Sequence, residues 1–264
     1  MKKKITLFVF LCACFTVLHA QFNSRNPRIM SYRDYVLPGA SIEAGLGIGM
    51  VNALTDIASS RPNQQSSWMD IYPNGFSPGI SLYGRYHSGR SWAVRSTFSA
   101  LMLRGDDAWS PESAITERGK SFTNNLFELA AYGEYFLPRK IADPKSYLKV
   151  LWFDIYLFAG MSAFYHNPDI NGPVIDDYDY ELLNAGDLYN NWQFAIPFGA
   201  GLKWTLNRNW VLGFDLNFRY TFFDYLDGFR RPYSTRYDHF FSTGFNVGYI
   251  IQSRDRDTNR VVTR

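Results

Sequence analysis

Between Asn191 and Asp227 the chain alternates apolar residues with small or polar ones through two long runs, NWQFAIPFGAGLKWTL and NWVLGFDLNFRYT. Trp192, Phe194, Ile196, Phe198, Ala200, Leu202, Trp204 and Leu206 share one face of the first run, and Trp210, Leu212, Phe214, Leu216, Phe218 and Tyr220 share one face of the second. A period of two places successive side chains on opposite sides of an extended backbone, so both runs are strands. Asn207-Arg208-Asn209 is a tight turn between them. One face of this hairpin is greasy throughout, whereas the other carries Gln193, Lys203, Asp215, Arg219 and several small residues. A soluble sandwich would bury the apolar face on a second sheet. A membrane barrel would turn it toward lipid and fill a narrow interior with the other.

The N-terminus settles the compartment. Met1–Lys4 is a basic segment, Ile5–Leu18 is an apolar core, and Ala20 is a cleavage position, which together read as a secretory signal peptide over residues 1–20. Leu11-Cys12-Ala13-Cys14 loosely fits a lipobox, but the apolar core continues past it to Leu18. Both cysteines lie in this leader, so the mature chain has neither disulfides nor thiolate metal sites. The 27 basic residues, less the three lysines of the leader, leave 24 against 24 acidic ones. A neutral mature chain has no bulk attraction for nucleic acid. Mean hydropathy is −0.23, and no mature stretch reaches the roughly 20 apolar residues of a spanning helix. The 18% aromatic content is instead that of a barrel, in which only alternate residues meet lipid.

The same alternation marks six further strands. Ala40–Met50 sets Ala40, Ile42, Ala44, Leu46, Ile48 and Met50 outward, with Glu43, Gly45, Gly47 and Gly49 inward. Its Gly-x-Gly-x-Gly run marks alternate strand residues and not a phosphate loop, which needs a turn into a helix. Ser77–His87, Trp92–Leu103, Phe122–Leu137, Leu148–Tyr165 and His239–Gln252 complete an expected eight-stranded antiparallel transmembrane β-barrel of OmpA-like size over residues 39–252. Residues 21–38 read as an irregular periplasmic lead-in and 253–264 as a polar periplasmic tail. Expected long loops at Val51–Phe76, Arg104–Ser121, His166–Asn190 and Phe223–Asp238 alternate with shorter turns, the asymmetry of an outer-membrane barrel with long loops outside the cell. Trp92, Trp204 and Trp210 flank the periplasmic turns, where an aromatic belt belongs.

Eight strands enclose an interior just wide enough for side chains. The inward positions include Glu43, Arg85, Arg95, Glu128, Glu134, Asp154, Lys203, Asp215 and Arg219. Opposite charges confined together should pair, because an unpaired buried charge is very costly, so a sealed interior is expected in place of a pore. The mature histidines His87, His166 and His239 have no serine–acid partners visible in sequence, and no catalytic site is expected. The acidic run Asp176–Glu181 lacks the register of a calcium loop and reads as a solvated surface segment. No cofactor is implied.

The block Ala195–Gly228 (AIPFGAGLKWTLNRNWVLGFDLNFRYTFFDYLDG) resembles the last hairpin of the PorG family, small outer-membrane barrels of the type IX protein secretion system in Bacteroidetes. The matching features are Ile196–Gly201 with Lys203, Asn209-Trp210, and Arg219, Thr221 and Asp224–Asp227, with weaker support from Glu43–Gly49 and Phe122–Phe136. The resemblance implies a non-catalytic component of the secretion, and in some organisms gliding, machinery. Its partners would be outer-membrane lipid and the periplasmic ring built by a lipoprotein and its partner, which the barrel would anchor or dock. Periplasmic contacts would then fall on Arg139, Lys140 and Lys145 and, in the tail, on Arg254, Arg256 and Arg260. The lead-in and the arginine-rich tail depart from the family pattern. A lipid-modifying barrel enzyme and an OmpA-like adhesin acting through its loops are the alternatives.

Overall fold

The computed structural model describes residues 40–58, 71–88, 91–111, 113–137, 153–173, 189–206, 209–229, 237–254 and 261–263. Eight strands form the wall: β1 (Ala40–Leu54), β2 (Ser77–Ser88), β3 (Trp92–Asp106), β4 (Ser121–Phe136), β5 (Phe153–Asn171), β6 (Trp192–Thr205), β7 (Trp210–Thr221) and β8 (His239–Arg254). Each pairs antiparallel with the next, and β8 returns to β1 from Ser41↔Ser253 to Leu54↔His239. This last pairing closes the sheet, so the barrel wall has no open edge. A short β9 (Val261–Thr263) pairs with Gln252–Arg254. Residues 253–264, expected as a polar periplasmic tail, include the last two residues of β8 and the whole of β9. A short helix α1 (Ser113–Thr116) lies between β3 and β4. Among the described residues no helix is long and apolar enough to cross a membrane.

Burial alternates with strand parity. Along β5, Ile155, Leu157, Ala159 and Met161 are exposed while Asp154, Tyr156, Phe158 and Ser162 are buried. Met161 is 79% exposed and Phe194 of β6 is 70% exposed, values that water would penalise in side chains this apolar. Leu46, Ile48, Ile80, Val94, Phe98, Leu129, Leu216 and Phe245 continue the same outer surface over the remaining strands. A closed sheet with hydrogen bonds satisfied between strands and a hydrocarbon-like exterior is a membrane-spanning barrel. The protein is thus an integral β-barrel of the outer membrane.

Three strands run three or more residues further than alternation indicated. β1 continues past Met50 to Leu54, β3 past Leu103 to Asp106, and β5 past Tyr165 to Asn171. Fifteen residues of β3, rising about 3.3 Å each at a tilt of about 40°, stand about 38 Å tall, more than the roughly 25 Å apolar band. Above that band the outer face need not be greasy, so Asn167, Asp169 and Asn171 face solvent while the ladder to β4 continues unbroken through Ser121↔Asn171. The hydrophobic pattern fades where lipid ends; the hydrogen bonding does not.

The extended ends enclose an apolar core that was not among the expected inward residues. Leu101, Leu103, Phe122, Leu126, Phe164 and Phe240 pack there against Leu226 and Phe229 of the β7–β8 connection. Their parity matches the inward charges lower on the same strands, which is the signal that could have located them.

Candidate functional site: the sealed interior and its extracellular cap

At the end of the barrel near the short turns, strands β1 to β7 each send a polar side chain inward. Glu43 sits at the centre. Its carboxylate accepts from Arg85 Nη1 (2.9 Å), Tyr83 OH (2.8 Å) and Lys203 Nζ (2.6 Å). Lys203 Nζ also lies 2.8 Å from His87 Nε2. Glu134 lies between two guanidiniums, with Arg85 Nε at 2.7 Å and Arg95 Nε at 2.8 Å. These two Nε contacts are close charge pairs whose angles fall short of hydrogen bonds. Arg95 Nη1 donates to Asp215 Oδ2, and Tyr156 OH donates to the other oxygen of Asp215. Asp154 is buried opposite Lys203 in the β5–β6 register. Arg85 and Arg95 also lie over the rings of Tyr156 and Tyr132, at 5.1 and 4.8 Å.

A second layer lies farther toward the long loops. Arg219 of β7 grips Glu128 of β4 through Nη2 (3.0 Å) and Nε (3.4 Å), and its Nη1 donates to Ser242 Oγ and to the Asn217 carbonyl. All nine charged positions singled out from sequence lie inside the barrel, with Asp215 the least enclosed, its side chain 14% exposed. His87, Tyr132 and Tyr156 are inward by the alternation of the sequence, as expected, but the expected charge network left them out, together with Tyr83; the structure brings Tyr83, His87 and Tyr156 into the lower layer and joins the Tyr132 hydroxyl to Asn217.

The wall is shaped for these groups. A Cβ at Gly201 would stand 2.3 Å from the Tyr156 ring and 2.5 Å from Asp215 Oδ1. Only a hydrogen in that place lets Tyr156 cross beneath β6 to reach β7. Between the two layers remains a cavity of about 60 Å³.

The long connections close the other end. Asp107, fully buried, accepts from Ala58 N (3.0 Å) and Lys120 N (3.0 Å), and forms a two-point pair with Arg118 (2.7 and 2.6 Å). One carboxylate thereby joins the β1–β2 and β3–β4 connections. Asp227 of the β7–β8 connection accepts from Ile57 N (3.0 Å) and Phe229 N (2.9 Å), and Asp238 accepts from Leu226 N (2.8 Å). Burial, with the negative charge of Asp56 nearby, pushes the Asp227 carboxyl up to about 7; burial and Asp227 raise Asp238 well above the usual carboxylate range. Arg118 and Lys120 lie over the Phe229 ring at 5.0 and 5.1 Å.

The three mature histidines sit in different surroundings. His87 belongs to the lower layer. His166, expected at a loop border, is instead a buried β5 residue stacked on Tyr189 (5.4 Å) and edge-on to Phe223 (4.9 Å), because β5 continues above the membrane. His239 begins β8 and packs between Phe218 and Tyr220. Among the described residues there is no group of His, Cys, Asp and Glu placed to hold a metal. Arg139, Lys140, Lys145, Arg256 and Arg260 fall outside the described residues, as does Asp176–Glu181; Arg254 is the last residue of β8.

Residues 35–248 match a family model described as a domain of unknown function, DUF6089. The chain belongs to the DUF6089 family. That match begins just before β1 and ends within β8, so the DUF6089 unit in this chain is the barrel itself. No curated protein matches the sequence. Among solved structures the DUF6089 barrel is similar to Neisserial surface protein A, at 11% identity and a TM-score of 0.45 over 80% of this chain and 98% of that one. It is similar to outer membrane protein W of E. coli, at 15% identity and 0.39 over 80% and 98%. It is also similar to Ail, the attachment invasion locus protein of Yersinia pestis, at 12% identity and 0.37 over 80% and 97%.

Proposed function

We propose that this barrel is a non-catalytic, PorG-like anchor of the type IX protein secretion machinery, holding the periplasmic ring against the outer membrane. The supporting observation is the sealed interior: Glu43, Arg85, Glu134, Arg95 and Asp215 form a chain of ion pairs across the lumen. A barrel so filled has no conduit to offer, and its usable surfaces are its lipid wall and its two rims. The rim at the short turns is the side that would meet a periplasmic ring. The block resembling PorG comprises β6, β7 and the start of the β7–β8 connection, which places the resemblance on one hairpin and its loop. The three outward aromatic pairs near that rim, Trp92–Tyr135, Phe153–Trp204 and Trp210–Tyr249, would hold it at the membrane interface. The test is purification of a tagged barrel from native membranes. Recovery of the ring lipoprotein and its partner supports the reading; recovery of an intact barrel without them overturns it.

The extracellular cap favours a second reading, attachment at the cell surface. Asp107 and Asp227 fasten three connections into one body, a built surface and not a set of free loops. Cells carrying Asp107→Ala and Asp227→Ala together should then lose adherence to host matrix while secretion continues. Loss of secretion with adherence retained would reject this alternative.

A further inference from the structure

β4 and β5 stand taller than the lipid, and their outward face above it carries residues that neither packing nor strand preference explains. Tyr165 of β5 and Trp192 of β6 meet edge-on at 5.6 Å, both exposed, and mark the upper end of the apolar band on this side. Above them three cross-strand rows follow in register: Asn125↔Asn167, Thr123↔Asp169 and Ser121↔Asn171. Asparagine and aspartate are depleted in strands, yet they fill four of these six outward positions. All four are exposed, and among the described residues none of their side chains is committed to a hydrogen bond or ion pair. The neighbouring side of the barrel is finished differently. Asn52 of β1, outward by parity, is buried, and its amide donates to the Tyr72 carbonyl at 3.3 Å. Phe76 of the same β1–β2 connection packs edge-on against Phe241 of β8 at 6.0 Å. There the chain covers its own wall; on β4 and β5 the wall stays exposed.

We propose that this face docks the sugars of an outer-leaflet glycolipid whose acyl chains lie on the apolar wall below. The face continues that wall upward on the same two strands, so a ligand held by its lipid part is already beside it. Height selects the class. At about 3.3 Å per residue and a tilt of about 40°, Asn167, Asp169 and Asn171 stand about 5, 10 and 15 Å above Tyr165. The headgroup layer of an ordinary bilayer is about 5–8 Å deep on each side, so a head of several sugars is needed to span all three rows. The chemistry agrees. Carboxamides offer a donor and an acceptor side by side, and a carboxylate offers two acceptors, which suits adjacent sugar hydroxyls. Arg104 of β3 and Asp169 share a register row on either side of Thr123, so their charges offset, which favours hydroxyls over a bare phosphate.

The experiment places the full chain in phospholipid nanodiscs with one of three probes: rough lipopolysaccharide (lipid A bearing its core oligosaccharide), core-free lipid A, or the soluble core oligosaccharide. Native mass spectrometry reads the ligand retained per barrel. The core-bearing glycolipid is expected to be retained at least tenfold over lipid A and over the soluble sugar. Asn125→Thr, Asn167→Thr and Asp169→Thr together, a change that strands favour, should lower its retention to the lipid A level while keeping the heat-modifiable gel shift of a folded barrel. Equal retention of the two glycolipids overturns the proposal, as does a folded triple variant that retains the core-bearing form like wild type. Soluble core bound as well as the lipid-linked form also overturns it, because the face would then serve a free glycan.

Discussion

Lys203 and Glu43, 160 positions apart in sequence, meet at 2.6 Å inside the barrel, and their contact closes the lower charged layer from β6 to β1. Such a pair is not itself strong support for stability, because desolvating two charges offsets much of their attraction. Removing one partner is another matter. Lys203→Met leaves the Glu43 carboxylate with Arg85 and Tyr83 but short of one cation, and should destabilise the barrel by about 3–5 kcal/mol. Urea titration in detergent, followed by tryptophan emission or by gel mobility, reads this as a lower midpoint. Replacing both residues, Lys203→Met with Glu43→Gln, should recover part of the loss.

Arg219 and Glu128 form a more isolated pair and permit a cleaner separation. Arg219→Leu and Glu128→Leu singly should each cost about 3–5 kcal/mol, and the double variant distinctly less than their sum. Additive losses in the double-mutant cycle would mean that the two side chains do not interact in the folded protein.

Most of this was legible in the sequence, for an identifiable reason. Where hydrocarbon lies on one side of the wall, every second residue must be apolar, and strands such as β6 and β7 declare themselves from Trp192 to Tyr220. The inward charges were legible by parity for the same reason. The cap was not, because its contacts are single events between distant connections. Nothing local in Asp107 indicates that Ala58 N will be its donor. Nor does Leu226, in a segment of loop composition, announce that it will be fully buried under Asn124, whose amide donates to its carbonyl.

That cap yields a third prediction. Asp107→Ala removes the acceptor of two backbone N–H groups and of Arg118 at once. The strands below depend on lipid and on the inner layers, so they should persist. Limited proteolysis of the variant in nanodiscs should cut the extracellular connections at least tenfold faster, with a protected barrel fragment of unchanged size. Uniform degradation would show that the cap and barrel fold as one unit.

A fourth concerns pH. Asp227 faces Asp56, Asp238 and Arg118, and its folded carboxyl titrates near 7 against an ordinary value of 3.8. A carboxyl raised on folding contributes stability that is complete below about 4 and is lost as pH rises through 7. The cap should therefore be most resistant to proteolysis in mild acid and loosen toward pH 8. Asp227→Asn, which keeps one oxygen to accept from either the Ile57 or the Phe229 amide and cannot ionise, should flatten that dependence. An Asn variant with the wild-type pH profile would assign the effect elsewhere.

The central claim is that alternate residues of one continuous strand face lipid and a sealed interior. A single-cysteine label scan of β5 from Tyr156 to Ala163, in vesicles containing lipid-borne quenchers, tests it most directly. The account predicts strong quenching at Leu157, Ala159 and Met161 and weak quenching at Tyr156, Phe158 and Ser162. Quenching that is uniform along the strand, or out of phase with this order, would contradict it.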